Sequence, residues 1–154
     1  MPLRGSVTEQ VEARAPDVFA LVTDVERLPE WNRVITKVVE RPPRLGPDVE
    51  WVVELRSMGS SWQSRSRVLA LDPDARLFSY RSQTDDGNPS YGDWSWAIAD
   101  ADDGSRVTVT WELWPKTFWR RALLARVRNR QLRREVRTSV RALGQCAAKG
   151  VDSP

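Results

Sequence analysis

"PDVFALVTDVERLPEWN", residues 16–32, interrupts a chain that otherwise alternates like β-strands. Pro16 brings a fixed φ suited to a first helical turn, where its missing N–H costs nothing. Val18, Phe19, Leu21 and Val22 follow at helical spacing. Asp24 then reads as the cap of a second short helix, and the Pro-Glu-Trp-Asn stretch from Pro29 reads as its end. Two clipped helices between strands mean that the chain leaves one sheet edge and must be carried to another place before strands resume.

Working outward, the first strand spans about 5–14, with Val7, Val11 and Ala13 on one face. After the helices, alternation marks strands at 33–40, 49–57, 61–71, 76–83, 91–99 and 106–114. They are separated by turn chemistry: Pro and Gly in 41–48, Met58-Gly59-Ser60, Asp-Pro-Asp-Ala at 72–75, Asp86-Gly87-Asn88-Pro89, and Asp102-Asp103-Gly104. From about Lys116 to Lys149 the period changes to 3.6. Phe118, Ala122, Ala125, Leu132, Val136, Val140, Leu143 and Ala147 then form one stripe on a helix of about eight turns. Strand, two short helices, six strands and a long helix predict an α+β fold. A curved seven-stranded antiparallel sheet has the C-terminal helix across its concave face. Helix and curved sheet cannot touch along their whole length, so a cavity between them is expected. Residues 1–150 read as a single domain and 151–154 as a disordered tail.

The segment "ARAPDVFALVTDVERLPEWNRVITKVVE" (13–40) resembles the start of the START-like, Bet v 1-like helix-grip superfamily, in its polyketide cyclase/dehydrase and lipid-transport branch. The likeness continues through "LALDPDARLFSYR" (69–81) and "GSRVTVTWEL" (104–113) and covers nearly the whole chain. It is specific for fold and weak for function, because that superfamily includes ligand carriers, cyclases, hormone receptors and ribosome-associated proteins.

Composition narrows the chemistry. At 154 residues, with 40% apolar and 29% charged side chains, the chain is an ordinary globular domain able to bury a core. No apolar run approaches the roughly 20 residues of a membrane span, and Met-Pro-Leu-Arg-Gly-Ser lacks the apolar centre of a signal peptide. A lone Cys146 excludes an internal disulfide and fits a cytoplasmic setting. The absence of histidine removes His-based triads, Cys–His pairs and nearly all catalytic zinc sites. No cofactor or metal is implied, and an enzyme built from this chain would have to use carboxylates, Arg, Tyr or Ser.

Eight Trp stand against two Tyr and three Phe. Several share parity with aliphatic residues on strands, so they fill a core, wall an aromatic pocket, or do both. A pocket for a lipid or polyketide-like molecule would lie between Trp51, Trp96, Val109 and Trp111 of the sheet and Ala125, Asn129, Leu132 and Val136 of the helix. Asn129, a polar residue in the apolar stripe, needs a strand or water partner or else projects into the cavity to orient a ligand. On the strand 61–71 two registers fit: Trp62, Ser64, Ser66 and Val68 inward, or Gln63, Arg65, Arg67 and Leu69. Burying unpaired arginine is costly, which favours the arginines outside. In aromatase/cyclases an inward Arg on the equivalent strand assists the polyketide chain, and the resemblance would assign that role to Arg67.

Charge divides unevenly. Residues 1–115 carry 13 Lys/Arg against 19 Asp/Glu, while residues 116–149 carry 11 against the single acid Glu135. Arg126, Arg130, Arg133 and Arg137 lie on the helix face away from the apolar stripe. They read as a solvated face or as a surface for an anionic membrane or RNA. The leading expectation is a hydrophobic-ligand binder. The alternatives are a cofactor-free cyclase or dehydratase and a protein that associates through its basic helix.

Overall fold

The computed structural model describes residues 2–57, 59–84, 89–115 and 120–152, apart from the side chains of 120–126, 128 and 150–152. Strand β1 (Leu3–Val11) leads into helix α1 (Ala15–Val22), a 3-10 turn (Val25–Arg27) and helix α2 (Leu28–Trp31). Strands β2 (Ile35–Glu40), β3 (Glu50–Ser57), β4 (Ser60–Asp72), β5 (Leu77–Thr84), β6 (Tyr91–Ala101) and β7 (Gly104–Trp114) follow. Helix α3 (Arg120–Asp152) comes last. The seven strands form one antiparallel sheet in the order β1-β7-β6-β5-β4-β3-β2. The short helices therefore carry the chain from one sheet edge to the other, as the 16–32 stretch demanded.

Pro16 sits in the first turn of α1, and Ala15, Val18, Phe19, Leu21 and Val22 are buried. Thr23 closes the helix by donating its hydroxyl to the Phe19 carbonyl at 2.9 Å. Two local expectations are corrected. Asp24 occupies the cap position of the 3-10 turn but makes no side-chain cap bond. Pro29 lies in the first turn of α2 instead of ending a helix, because a first-turn N–H has no intrahelical acceptor to lose.

The β4 register is resolved by pairing and burial. Ser66 lies opposite Trp51 and Ser64 opposite Val53. Ser64, Ser66 and Val68 are buried, whereas Gln63, Arg67 and Leu69 are exposed. The arginines keep their charge in water, in line with the cost of burying it unpaired.

Helix α3 packs on β1 and against α1 and α2 through buried Leu132, Val136, Val140, Leu143 and Ala147. Gly144 permits the closest approach, since a Cβ there would stand 2.6 Å from the Val11 Cβ. The helix continues to Asp152, past the Lys149 at which its period is expected to end. Residues 153 and 154 lie outside the described residues, as does Phe118 of the anticipated stripe. Among the described residues, no helix is long and apolar enough to cross a membrane.

Candidate ligand cavity

The core is filled where the C-terminal half of α3 meets Val7, Val11 and α1. Sheet and helix separate toward residues 127–139 and leave a cavity of about 690 Å³. Alternation on each strand decides which side chains reach it. β3 contributes Trp51, Val53, Leu55 and Ser57; β4 contributes Ser60, Trp62, Ser64 and Ser66; β5 contributes Phe78, Tyr80, Ser82 and Thr84. Trp94 and Trp96 come from β6, Leu28 and Trp31 from α2, and Leu132, Glu135, Val136 and Ser139 from α3.

One end is an aromatic box. Trp51 stacks on Phe78 at 5.9 Å and meets Tyr80 edge-on at 5.1 Å. Trp31 meets Trp96 edge-on at 5.4 Å. Such offset and edge contacts fix ring positions beyond what area burial alone provides. The Trp96 indole N–H donates to the Tyr80 hydroxyl at 3.2 Å. Burial pushes the Tyr80 phenol up to about 12, and the Trp96 hydrogen bond works against that rise. Tyr80 therefore keeps its proton at any physiological pH and acts as a neutral donor, not a base.

The neighbouring floor is lined with hydroxyls. Ser66 and Ser82 face each other across β4 and β5 with their oxygens 2.6 Å apart, and Ser64 pairs in register with Thr84. At the α3 wall, Ser57 donates a hydrogen bond to Glu135, and Ser139 accepts the Arg33 backbone N–H at 3.0 Å. The cavity thus offers an apolar aromatic end and a hydroxyl-bearing side. Among the described residues no group of three or more His, Cys, Asp or Glu could hold a metal ion.

Of the eight anticipated binding residues, Trp51, Trp96, Leu132 and Val136 line the cavity. Val109, Trp111 and Asn129 do not, and that expectation is corrected. Val109 is buried opposite Val7 in the packed part of the sheet. Trp111 lies over Gly5, where a Cβ would come within 2.2 Å of its ring, so the missing side chain of Gly5 makes its slot. Its indole N–H donates to Asn129 Oδ1 at 2.7 Å, and Asn129 Nδ2 donates to the Arg4 carbonyl at 3.2 Å. Asn129 is spent on fastening α3 to β7 and β1. The side chain of Ala125 lies outside the described residues. Arg67 is exposed on the outer face of β4, so the inward role that resemblance would give it is corrected, for the reason that fixes the strand register.

The sequence reading missed Tyr80, Ser82, Trp31 and Glu135. For Tyr80 and Ser82 the signal was present in "RLFSYRSQ", where both share parity with Phe78.

The sheet-and-helix architecture recurs in solved structures. An aromatase/cyclase, Zhui, from Streptomyces sp. R1128 superposes with a TM-score of 0.69 at 19% identity, over 98% of this chain and 95% of that one. The di-domain ARO/CYC StfQ from the steffimycin biosynthetic pathway gives 0.78 at 13% identity, over 99% of this chain and 53% of that one. A START superfamily protein from Mycobacterium smegmatis gives 0.68 at 16% identity, over 90% and 93%. At these identities the likeness establishes the helix-grip fold and nothing finer. No curated protein matches the sequence. The family model described as "Polyketide cyclase / dehydrase and lipid transport" matches residues 3–147. With nearly its whole length covered and the helix-grip fold around a cavity, the chain belongs to the polyketide cyclase/dehydrase and lipid transport family.

Proposed function

We propose that the protein binds a hydrophobic small molecule, a lipid or polyketide-like compound, between sheet and α3 without covalent chemistry of its own. The observation that carries this reading is the cavity of about 690 Å³ walled by Trp31, Trp51, Phe78, Tyr80 and Trp96. Protein interiors are ordinarily packed to crystal density, and apolar cavities of this size with a few polar groups are what small-molecule sites look like. Native mass spectrometry of the purified protein should show a co-purifying apolar species. Titration with long-chain fatty acids or flat aromatic polyketides should change Trp emission saturably. A protein that carries nothing and whose emission no apolar compound perturbs would end this reading. A cytoplasmic setting, inferred from the lone Cys146, belongs to the same proposal.

An aromatase/cyclase activity, as named for Zhui and StfQ, is the alternative for this family. Its chemistry here would rest on the inward hydroxyls of Ser64, Ser66, Ser82 and Tyr80, since Arg67 faces the other way.

A separate proposal concerns the outer face of α3. Arg130, Arg133 and Arg134 are exposed and have no ion pair among the described residues, whereas Arg137 and Arg141 reach Glu9 at 2.9 and 3.6 Å. The side chain of Arg126 lies outside the described residues. Unpaired arginines along one face suit an anionic membrane surface or RNA. Association with anionic vesicles or RNA should fall steeply with salt and disappear when Arg126, Arg130, Arg133 and Arg137 are changed to Glu. Absence of any such affinity at low salt would reduce this face to a solvated one.

A further inference from the structure

Tyr80 holds an unspent hydrogen bond. Its ring is fixed between Trp51 at 5.1 Å and Phe78 at 5.2 Å, and its hydroxyl oxygen accepts the Trp96 indole N–H at 3.2 Å. The hydroxyl proton finds no acceptor among the described residues. The neighbouring Ser66 and Ser82 share one hydrogen bond at 2.6 Å, which uses only one of their two hydroxyl protons, but neither is held between aromatic rings as Tyr80 is. Trp31 Nε1, an unpartnered donor of the cavity wall, is fully enclosed, with its ring edge-on to Trp96 at 5.4 Å, so it presents nothing to a ligand. Tyr80 remains partly exposed. It points inward from β5, and that exposure opens on the cavity.

A ligand that fills the aromatic end excludes water from the hydroxyl, so it must supply an acceptor or leave that donor desolvated and unsatisfied. A hydroxyl that accepts one hydrogen bond is polarised into a stronger donor of another. The high phenol pKa keeps the proton in place, so the group recognises an acceptor and does not attract a cation.

Resting on the binding reading above, we infer that Tyr80, backed by Trp96, selects ligands whose flat apolar body carries a hydrogen-bond-accepting oxygen at its buried end. A ketone, quinone or ester carbonyl meets that requirement, and a plain hydrocarbon does not.

Calorimetric titration of wild type and Tyr80→Phe with 2-acetylnaphthalene and 2-ethylnaphthalene separates the possibilities, because the probes match in size and differ in the carbonyl. Tyr80→Phe should weaken the acetyl probe about 3- to 10-fold, the range for one neutral hydrogen bond. It should leave the ethyl probe within about twofold. Both affinities are read on the same variant, so any general loss of order from the orphaned Trp96 N–H cancels in their ratio. Independently of any variant, the infrared carbonyl stretch of the acetyl probe bound to wild type should lie below its value in hydrocarbon solvent. An unchanged ratio, or an unshifted stretch, overturns the role of Tyr80 while the cavity reading stands. Failure of both probes to bind wild type overturns the two together.

Discussion

Removal of residues 116–154 leaves a chain with no cooperative melting transition. The helix contributes buried Leu132, Val136, Val140, Leu143 and Ala147 to the core, and its loss uncovers Val7 and Val11 of β1 together with the inner surface of α1. Burial contributes roughly 25 cal/mol per Å² of apolar surface, and a domain retains only about 5–15 kcal/mol of net stability. Losing one whole wall of the core exceeds that margin. Calorimetry should give no sharp endotherm, and the product should aggregate or lose its near-ultraviolet dichroism. A soluble truncation that melts cooperatively would mean that the sheet closes on itself, and the packing described for α3 would be wrong.

Much of the architecture was legible because two periods carry it. Alternation in 61–71 and 91–99 and the 3.6-residue stripe through Val136, Val140 and Leu143 are local properties, and strands and helix appear where these periods place them. Pro29 was misread because proline both ends helices and begins them, and only the chain's path distinguishes the two. The β4 register was ambiguous from parity alone, with two serines on one face and two arginines on the other. The cost of burying charge favoured the correct answer.

The site was less legible, for a different reason. Parity tells which side of the sheet a residue faces, but not what it meets there. Trp51, Trp96 and Trp111 all point inward, yet the first two wall the cavity and the third lies beneath α3. That distinction depends on where the helix crosses the sheet. Two close approaches bear on it, the Trp111 ring over Gly5 and α3 on Val11 at Gly144, and a sequence shows both only as missing side chains. The hydroxyls of Ser66 and Ser82 were hidden similarly, since serine on an inward face becomes informative only when its cross-strand partner is known.

That placement of Trp111 gives the second large effect. Trp111→Ala should destabilise the protein by about 3–5 kcal/mol, the usual range for emptying a buried aromatic site. For a chain of this length that lowers the melting temperature by about 10 °C. The void opens between Gly5, Trp94 and α3, where the Trp94 and Trp111 rings now lie 5.5 Å apart, and not in the cavity walled by Trp51 and Phe78. Affinity for an apolar probe should therefore stay within about twofold. Asn129→Leu should have a smaller effect of the same kind. It strands the Trp111 indole N–H, whose present bond is 2.7 Å, and a buried unsatisfied donor costs about 1–3 kcal/mol. Because the two residues serve one bond, their losses should not add in the double variant. Calorimetric melting of the four proteins, with probe affinity measured on each below its transition, tests both parts. If either substitution changed probe affinity several-fold while stability held, Trp111 and Asn129 would belong to the ligand site, and their assignment as the fastening of α3 to the sheet would be wrong.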